Sequence, residues 1–315
     1  MTGSSLQTIF DLKNAIRRAV PNKIWQAAKR MKRRVELRNI KARVPVTKEQ
    51  LLGDFVALGL ETGDVLFIHS SLRNLGFVEG GPDTVIDTLM EVVGPQGTLV
   101  FPTFTIAGTM SETLAKGDFI FDPATSPSTV GKITEVFRGR RGVRRSLHPT
   151  HSVAAWGRLA EELTATHLAD GTNCGPSSPF GKLMEFDGKV VGLGITFGPV
   201  TFYHAYEDYY PEKFPGLYQE KPLKACIRLP EGDRKVSLTC HNPERTKRRI
   251  DKTPEIEAFF SQYFRTTGVA HTGQTGDSES WWLNAREMFD CVDKLYAQGV
   301  TIYSVPNPQG KKGAS

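Results

Sequence analysis

Cysteine is scarce in this sequence. Four of 315 residues are Cys (Cys174, Cys226, Cys240 and Cys291), and no two form a Cys-x-x-Cys pair. That excludes a disulfide-built scaffold and points to free thiols in a reducing cytoplasm. Long apolar runs are also missing. No stretch approaches the roughly 18 apolar residues of a membrane-spanning helix, and residues 1–23 lack the apolar segment of a secretory signal. There is no internal repeat, and 30 Gly and 19 Pro are near average usage, which excludes collagen-like and wholly disordered chains.

What remains is a chain with 39% hydrophobic and 23% charged residues, long enough to bury the core of a large α/β domain. Its net charge of +6 conceals a division. Residues 1–46 hold twelve Lys and Arg against Asp11 and Glu36, a balance of +10; the other 28 basic and 32 acidic residues leave −4. Ile24, Ala28, Met31 and Val35 recur at helical spacing with Lys29, Arg30, Lys32, Arg33 and Arg34 between them, the pattern of a basic amphipathic helix. Leu6, Ile9, Phe10, Lys13 and Ile16 suggest a shorter helix before it. Such an appendage either packs its apolar stripe on the body or on a second subunit in a homo-oligomer, the preferred expectation, or docks peripherally on an anionic inner membrane surface. No nucleic-acid-binding motif accompanies the charge, so nucleic acid is not an expected partner.

The body opens at Thr47, an N-cap with Gln50 at the capping-box position, before Leu51, Leu52, Phe55 and Leu58. Val65–Ile68 reads as a buried strand, Pro82–Val93 as a helix and Thr98–Phe101 as the next strand. This alternation predicts a largely parallel central sheet flanked by helices, with ligands at the carboxyl ends of its strands. Ser70, Ser71 and Thr103 fall there. Residues 152–156 and 189–193 read as further strands and 200–210 as an aromatic-rich helix. An antiparallel hairpin joins 225–229 to 236–239, helices over 254–264 and 280–298 finish the fold, and 306–315 read as a disordered tail.

Two clusters could carry chemistry. One is Arg144-Arg145-Ser146-Leu147-His148-Pro149-Thr150-His151-Ser152, in which proline restricts the backbone around an imidazole suited to general base work. The other is Tyr203-His204-Ala205-Tyr206-Glu207-Asp208, where His204 and Glu207 share a helix face. Two other chemistries stay open on these residues: a metal-dependent amidohydrolase built on His148, His151 and His204 or Glu207, and a Cys174 nucleophile. A binding module without catalysis is a third reading, against which the intact His148, Ser152, His204 and Glu207 speak.

A set of motifs runs in order along the chain: Gly63-Asp64-Val65-Leu66 running into His69-Ser70-Ser71-Leu72, Val78 to Pro82, Gly97-Thr98-Leu99, Phe121-Asp122-Pro123-Ala124, Arg144 to Ser152, Ser178-Pro179, and Val200-Thr201 with His204 and Glu207. In these the sequence resembles the aminoglycoside 3-N-acetyltransferases and their amino-sugar N-acyltransferase relatives over roughly Thr47 to Ala225. The resemblance implies an α/β fold distinct from the small acetyltransferase fold. It also implies acetyl-CoA or another acyl-CoA as donor, no metal, and direct transfer to a primary amine of an amino sugar. Residues 1–46 are then an extension and 47–305 the acyltransferase domain.

On this reading His148 is the base, Glu207 its orienting carboxylate and His204 the competing base. Ser70, Ser71, Leu72, Thr103 and Ser152 flank the donor, Arg144 and Arg145 meet its phosphates, and Asp208 and Thr201 contact the acceptor. The sequence departs from the family at Thr150, where members acting on aminoglycosides commonly carry Asp. A polycationic antibiotic favours an acidic cleft. The expected acceptor is therefore a glycan-pathway or nucleotide-linked amino sugar, with an aminoglycoside, and hence antibiotic resistance, as the alternative.

Overall fold

The computed structural model describes residues 21–106, 108–115, 117–198, 201–250 and 253–304; the expected helix around Leu6–Ile16 and the expected tail from 306 lie outside them. The chain divides into two compact units, one up to Pro45 and one from Val46 onward. The first contains the expected basic helix, α1 (Asn22–Lys41).

The second unit runs α2 (Lys48–Ala57), β1 (Val65–Ser70), α3 (Pro82–Val93), β2 (Thr98–Pro102), α4 (Met110–Leu114), β3 (Ile120–Phe121), α5 (Lys132–Phe137), β4 (Arg144–Arg145) and β5 (Val153–Gly157). It continues through α6 (Ala160–Ala165), α7 (Pro179–Lys182), β6 (Lys189–Leu193), α8 (Phe202–Tyr209), β7 (Leu223–Leu229), β8 (Gly232–Leu238), α9 (Pro243–Lys247), α10 (Pro254–Thr266), β9 (His271–Thr275), β10 (Ser278–Asn284) and α11 (Ala285–Ala297). Strands β4-β5-β2-β1-β6-β10-β9 form the central sheet, and β3-β7-β8 a second, smaller one that contains the expected hairpin. At the centre, β1 runs parallel to β2 and to β6. The flanking pairs, β2 with β5 and β6 with β10, are antiparallel.

Strand periodicity divides the core. In β1, Val65 and Phe67 join an apolar cluster on one face, and Leu66 and Ile68 a second cluster on the other. Helices α8, α10 and α11 cover the first face with Phe202, Phe260, Phe264 and Phe289. Helices α2, α3 and α5 cover the second with Phe55, Leu89 and Phe137. Each such fully buried side chain contributes about 1.5–3 kcal/mol, so helices on both faces are what hold the short parallel strands in place. The Thr47 cap forms as expected, its hydroxyl accepting the Gln50 N–H at 3.2 Å.

The expected helix over 280–298 is corrected at its start. Residues up to Asn284 are strand β10, with Trp281 and Leu283 buried on the first face and Trp282 against the second. This is a period of two that helical spacing cannot satisfy. Gly192 of β6, opposite Trp281 in the ladder, has no side chain because the indole occupies its space: a Cβ there would lie 2.2 Å from a ring atom.

Candidate active site

Four chain segments converge at the carboxyl ends of the parallel strands. The segment after β2 leads to α4, which opens on a capping box between Thr109 and Glu112. The segment after β6 leads into α8. Because β5 runs antiparallel to β2, pairing Val153 with Pro102, the residues preceding β5 arrive at the same end. Beyond β8, Asn242 caps α9 by accepting the Glu244 N–H at 3.0 Å, which fixes His241 just before the helix and Arg249 just after it. Between these segments opens a cavity of about 190 Å³, lined by His151, His204, His241, Arg249, Asn173 and Met110 among others.

Two adjacent carboxylates of α8 serve two histidines. Glu207 Oε2 lies 2.6 Å from His204 Nδ1, and Arg249 Nη1 lies 2.6 Å from His204 Nε2. A guanidinium can only donate, so Nε2 is the accepting nitrogen and the imidazole proton sits on Nδ1, facing Glu207. Burial and then the Arg249 charge hold His204 below its ordinary pKa, against the pull of Glu207. Asp208 is enclosed. Its Oδ1 accepts from His241 Nε2 at 2.6 Å and from the Tyr218 hydroxyl at 3.0 Å, and its Oδ2 from the Cys174 N–H at 2.9 Å. Burial opposes charge on His241, but Asp208 and then Glu207 outweigh it and its pKa is raised. The two imidazole rings stand 5.0 Å apart, edge to face.

His148, the expected base, is not on the cavity wall. It is fully buried, its Nδ1 accepts the His151 N–H at 3.0 Å, and its Nε2 has no partner. The proton therefore sits on Nε2 and the remaining lone pair is committed to the backbone, which leaves no nitrogen to take a proton from an acceptor. Burial, then His167 and His151, push its pKa well down. His151 takes the cavity position instead, its Nδ1 3.0 Å from the Thr150 hydroxyl, with its pKa pushed down to about 3, chiefly by burial. Asp208, expected to meet the acceptor, is turned inward onto His241.

The residues expected around the donor divide. Arg145 is a staple: it donates to the backbone carbonyls of Thr103 at 2.7 Å, Pro123 at 3.2 Å and Ser126 at 2.5 Å, and to the Ser152 hydroxyl at 3.0 Å. Burial is the main reason its pKa falls to about 10. Arg144 is exposed and pairs with Glu161 at 3.1 Å. Ser152 and Thr103 are fully buried and spend their hydroxyls on each other's segments. Ser70, Ser71, Leu72 and Thr201 are half-buried at the carboxyl ends of β1 and before α8. The Cys174 thiol is fully buried and pushed well above its ordinary pKa by burial and then by Asp208, which is the wrong direction for a nucleophile.

His204, Glu207 and His241 are spaced closely enough to hold a metal ion. Both His204 nitrogens, Glu207 Oε2 and His241 Nε2 are already hydrogen-bonded, and the Arg249 guanidinium adds positive charge beside them. These donors fit an orienting network better than a metal centre. Sequence reasoning missed His241 and Arg249. The available signal was local: Asn242-Pro243 is a cap and first-turn proline, which would have marked the His241 side of a helix start.

The family description "Aminoglycoside 3-N-acetyltransferase" matches residues 67–297. The chain belongs to this family. It is 32% identical over 267 residues to aminoglycoside N(3)-acetyltransferase VII of Streptomyces paromomycinus, covering 78% of this chain and 90% of that one. Among solved structures it superposes on AAC-IIIb bound to CoASH with a TM-score of 0.67 and 26% identity, covering 84% and 100% of the two chains. A histidine-to-alanine variant of aminoglycoside acetyltransferase AAC(3)-IVa, in complex with apramycin, matches with a TM-score of 0.64 and 26% identity over 86% and 98%. As a member, the chain is an N-acyltransferase, with a fold unlike that of the small acetyltransferases.

Proposed function

We propose that this protein transfers the acetyl group of acetyl-CoA to a primary amine of an aminoglycoside-type amino sugar, with His204 as general base and Glu207 as the carboxylate that orients it. The observation that carries the proposal is the Glu207–His204 contact at 2.6 Å, with His204 and Arg249, its partner at Nε2, both lining the cavity. A neutral imidazole whose Nδ1–H is held by a carboxylate presents a lone pair at Nε2 and gains a countercharge when it is protonated. The acceptor amine takes the position at Nε2 that Arg249 holds here. As its nitrogen attacks the thioester carbon, its proton passes to Nε2 and the C–S bond breaks to release CoA. The relatives' named substrates, aminoglycosides, support an acceptor rich in amines.

One observation favours a second reading, a glycan-pathway or nucleotide-linked amino sugar. No carboxylate lines the cavity among the described residues, whereas Arg249 does. Both readings are tested by mixing protein, acetyl-CoA and a panel of aminoglycosides and anionic or neutral amino sugars, and following thiol release. Release with aminoglycosides at the highest kcat/KM supports the first reading, and a preference for anionic sugars supports the second. No thiol above background with any acceptor refutes the transferase assignment.

A further inference from the structure

Helix α1 carries a surface that is both basic and apolar. Over 20 residues it holds eight Lys and Arg against one Glu. Along one stripe, Ile24, Met31 and Val35 are 59%, 71% and 53% exposed. Ala28 lies on the same stripe and is exposed too, and Trp25 is half-exposed nearby. The spacing of seven between Ile24 and Met31, and of four between Met31 and Val35, keeps these side chains on one face. Lys32 and Arg34 flank the stripe about a quarter-turn to either side.

We infer that α1 docks the protein on an anionic lipid bilayer, lying in the interface with Ile24, Met31 and Val35 inserted and its basic flanks on the headgroups. Charge decides between occupants. A second α1 packed on the same stripe would bring two strongly positive helices together, whereas an anionic leaflet neutralises them and accepts the apolar side chains at once. No described helix is long and apolar enough to cross a membrane, so the contact is peripheral. The helix is polar overall, so neither the charge nor the stripe suffices alone: binding requires both.

The test uses the full chain and vesicles of phosphatidylcholine with or without about a third phosphatidylglycerol. The protein is expected to sediment with the anionic vesicles and not with the neutral ones, and to be released at about 0.5 M salt, where charges are screened within a few Å. An Ile24→Ala, Met31→Ala, Val35→Ala variant keeps the charge and the helix propensity while removing the apolar stripe. It is expected to bind anionic vesicles at least about tenfold more weakly, with thiol release on soluble acceptors unchanged. Absence of binding to anionic vesicles at low salt overturns the inference, as does full binding by the triple-alanine variant. So does a salt-resistant dimer that the variant dissociates, or retention on nucleic acid without retention on vesicles.

Discussion

Replacing His204 and Glu207 separately, with His148 as the control, tests how the site works. His204→Ala removes the nitrogen that takes the proton. The expected fall in kcat is roughly a hundredfold or more, about 3 kcal/mol of barrier, with little change in affinity for acetyl-CoA. Glu207→Gln keeps an oxygen 2.6 Å from Nδ1 but removes the countercharge of the imidazolium that forms. That loss is about 1–3 kcal/mol, or roughly five- to 150-fold in kcat. The pH profile separates orientation from simple damage. The wild-type rate falls as pH drops through the lowered pKa of His204, and Glu207 is what pulls that pKa up. The Glu207→Gln profile should therefore keep its acid limb but shift it to lower pH, beneath a reduced plateau. His148→Ala opens a cavity in a fully buried layer, so it should lower the urea midpoint and cost less than tenfold in kcat for the folded fraction. The assay is thiol release from acetyl-CoA at saturating acceptor from pH 5 to 9, with near-ultraviolet circular dichroism as the check on folding. A folded His148→Ala protein without turnover, beside an active His204→Ala protein, would refute the assignment.

Arg249→Ala removes a positive neighbour of His204, so the acid limb of kcat/KM should move to higher pH; an unmoved limb means Arg249 does not set the base. Arg145→Ala takes a donor from three backbone carbonyls, of which only that of Thr103 keeps the Ser152 hydroxyl, and should cost about 2–4 kcal/mol of stability in urea melts. A stable variant with a raised KM for acetyl-CoA would instead make Arg145 a phosphate ligand. Gly192→Ala drives a methyl into the Trp281 ring and should lower stability by about 1–3 kcal/mol, read as a shift in the urea midpoint. His69 and His167 are buried, and burial pushes the pKa of each down to about 4. Unfolded they take protons near pH 6.5, so the unfolded state binds more protons below that pH and stability falls from about pH 6.5 toward 4. The loss is on the order of 2 kcal/mol per histidine at pH 5, and equal urea midpoints at pH 7 and pH 5 would exclude it.

The legible part of the fold was what local chemistry dictates. The Thr47 cap, the β1 and β2 runs, the Pro82 helix start and the β7–β8 hairpin all follow from patterns within a few residues. The β9–β10 pair was not legible as strand, because Trp281-Trp282-Leu283 directly precedes the Asn284 cap of α11 and reads as one apolar stretch with it. Only the ladder with β6 reveals the alternation. The site divided similarly. His204 and Glu207 share a helix turn and were visible as a pair, whereas the proposal of His204 over His148 rests on the His148 lone pair that the backbone consumes. No spacing encodes that.

The adjacency of Glu207 and Asp208 accounts for the rest of the electrostatics. Successive residues on a helix point about 100° apart, so two neighbouring carboxylates cannot serve one imidazole, and each here holds its own. The outcomes differ because the surroundings differ. Burial and then Arg249 hold the His204 pKa down, while Asp208, closed in by Tyr218 and Cys174, favours the charged form of His241. Titratable pairs pushed in opposite directions within one cleft are how acid and base roles separate near neutral pH. A cleft that keeps His204 neutral while favouring charge on His241 imposes a condition on the acceptor: an ammonium-rich sugar must bring its amine to Nε2 past Arg249 and beside His241. Raising the salt should therefore relieve repulsion and lower KM for polycationic acceptors, and weaken attraction and raise KM for anionic ones. A KM for aminoglycosides that rises with salt would mean that carboxylates outside this cavity wall dominate recognition.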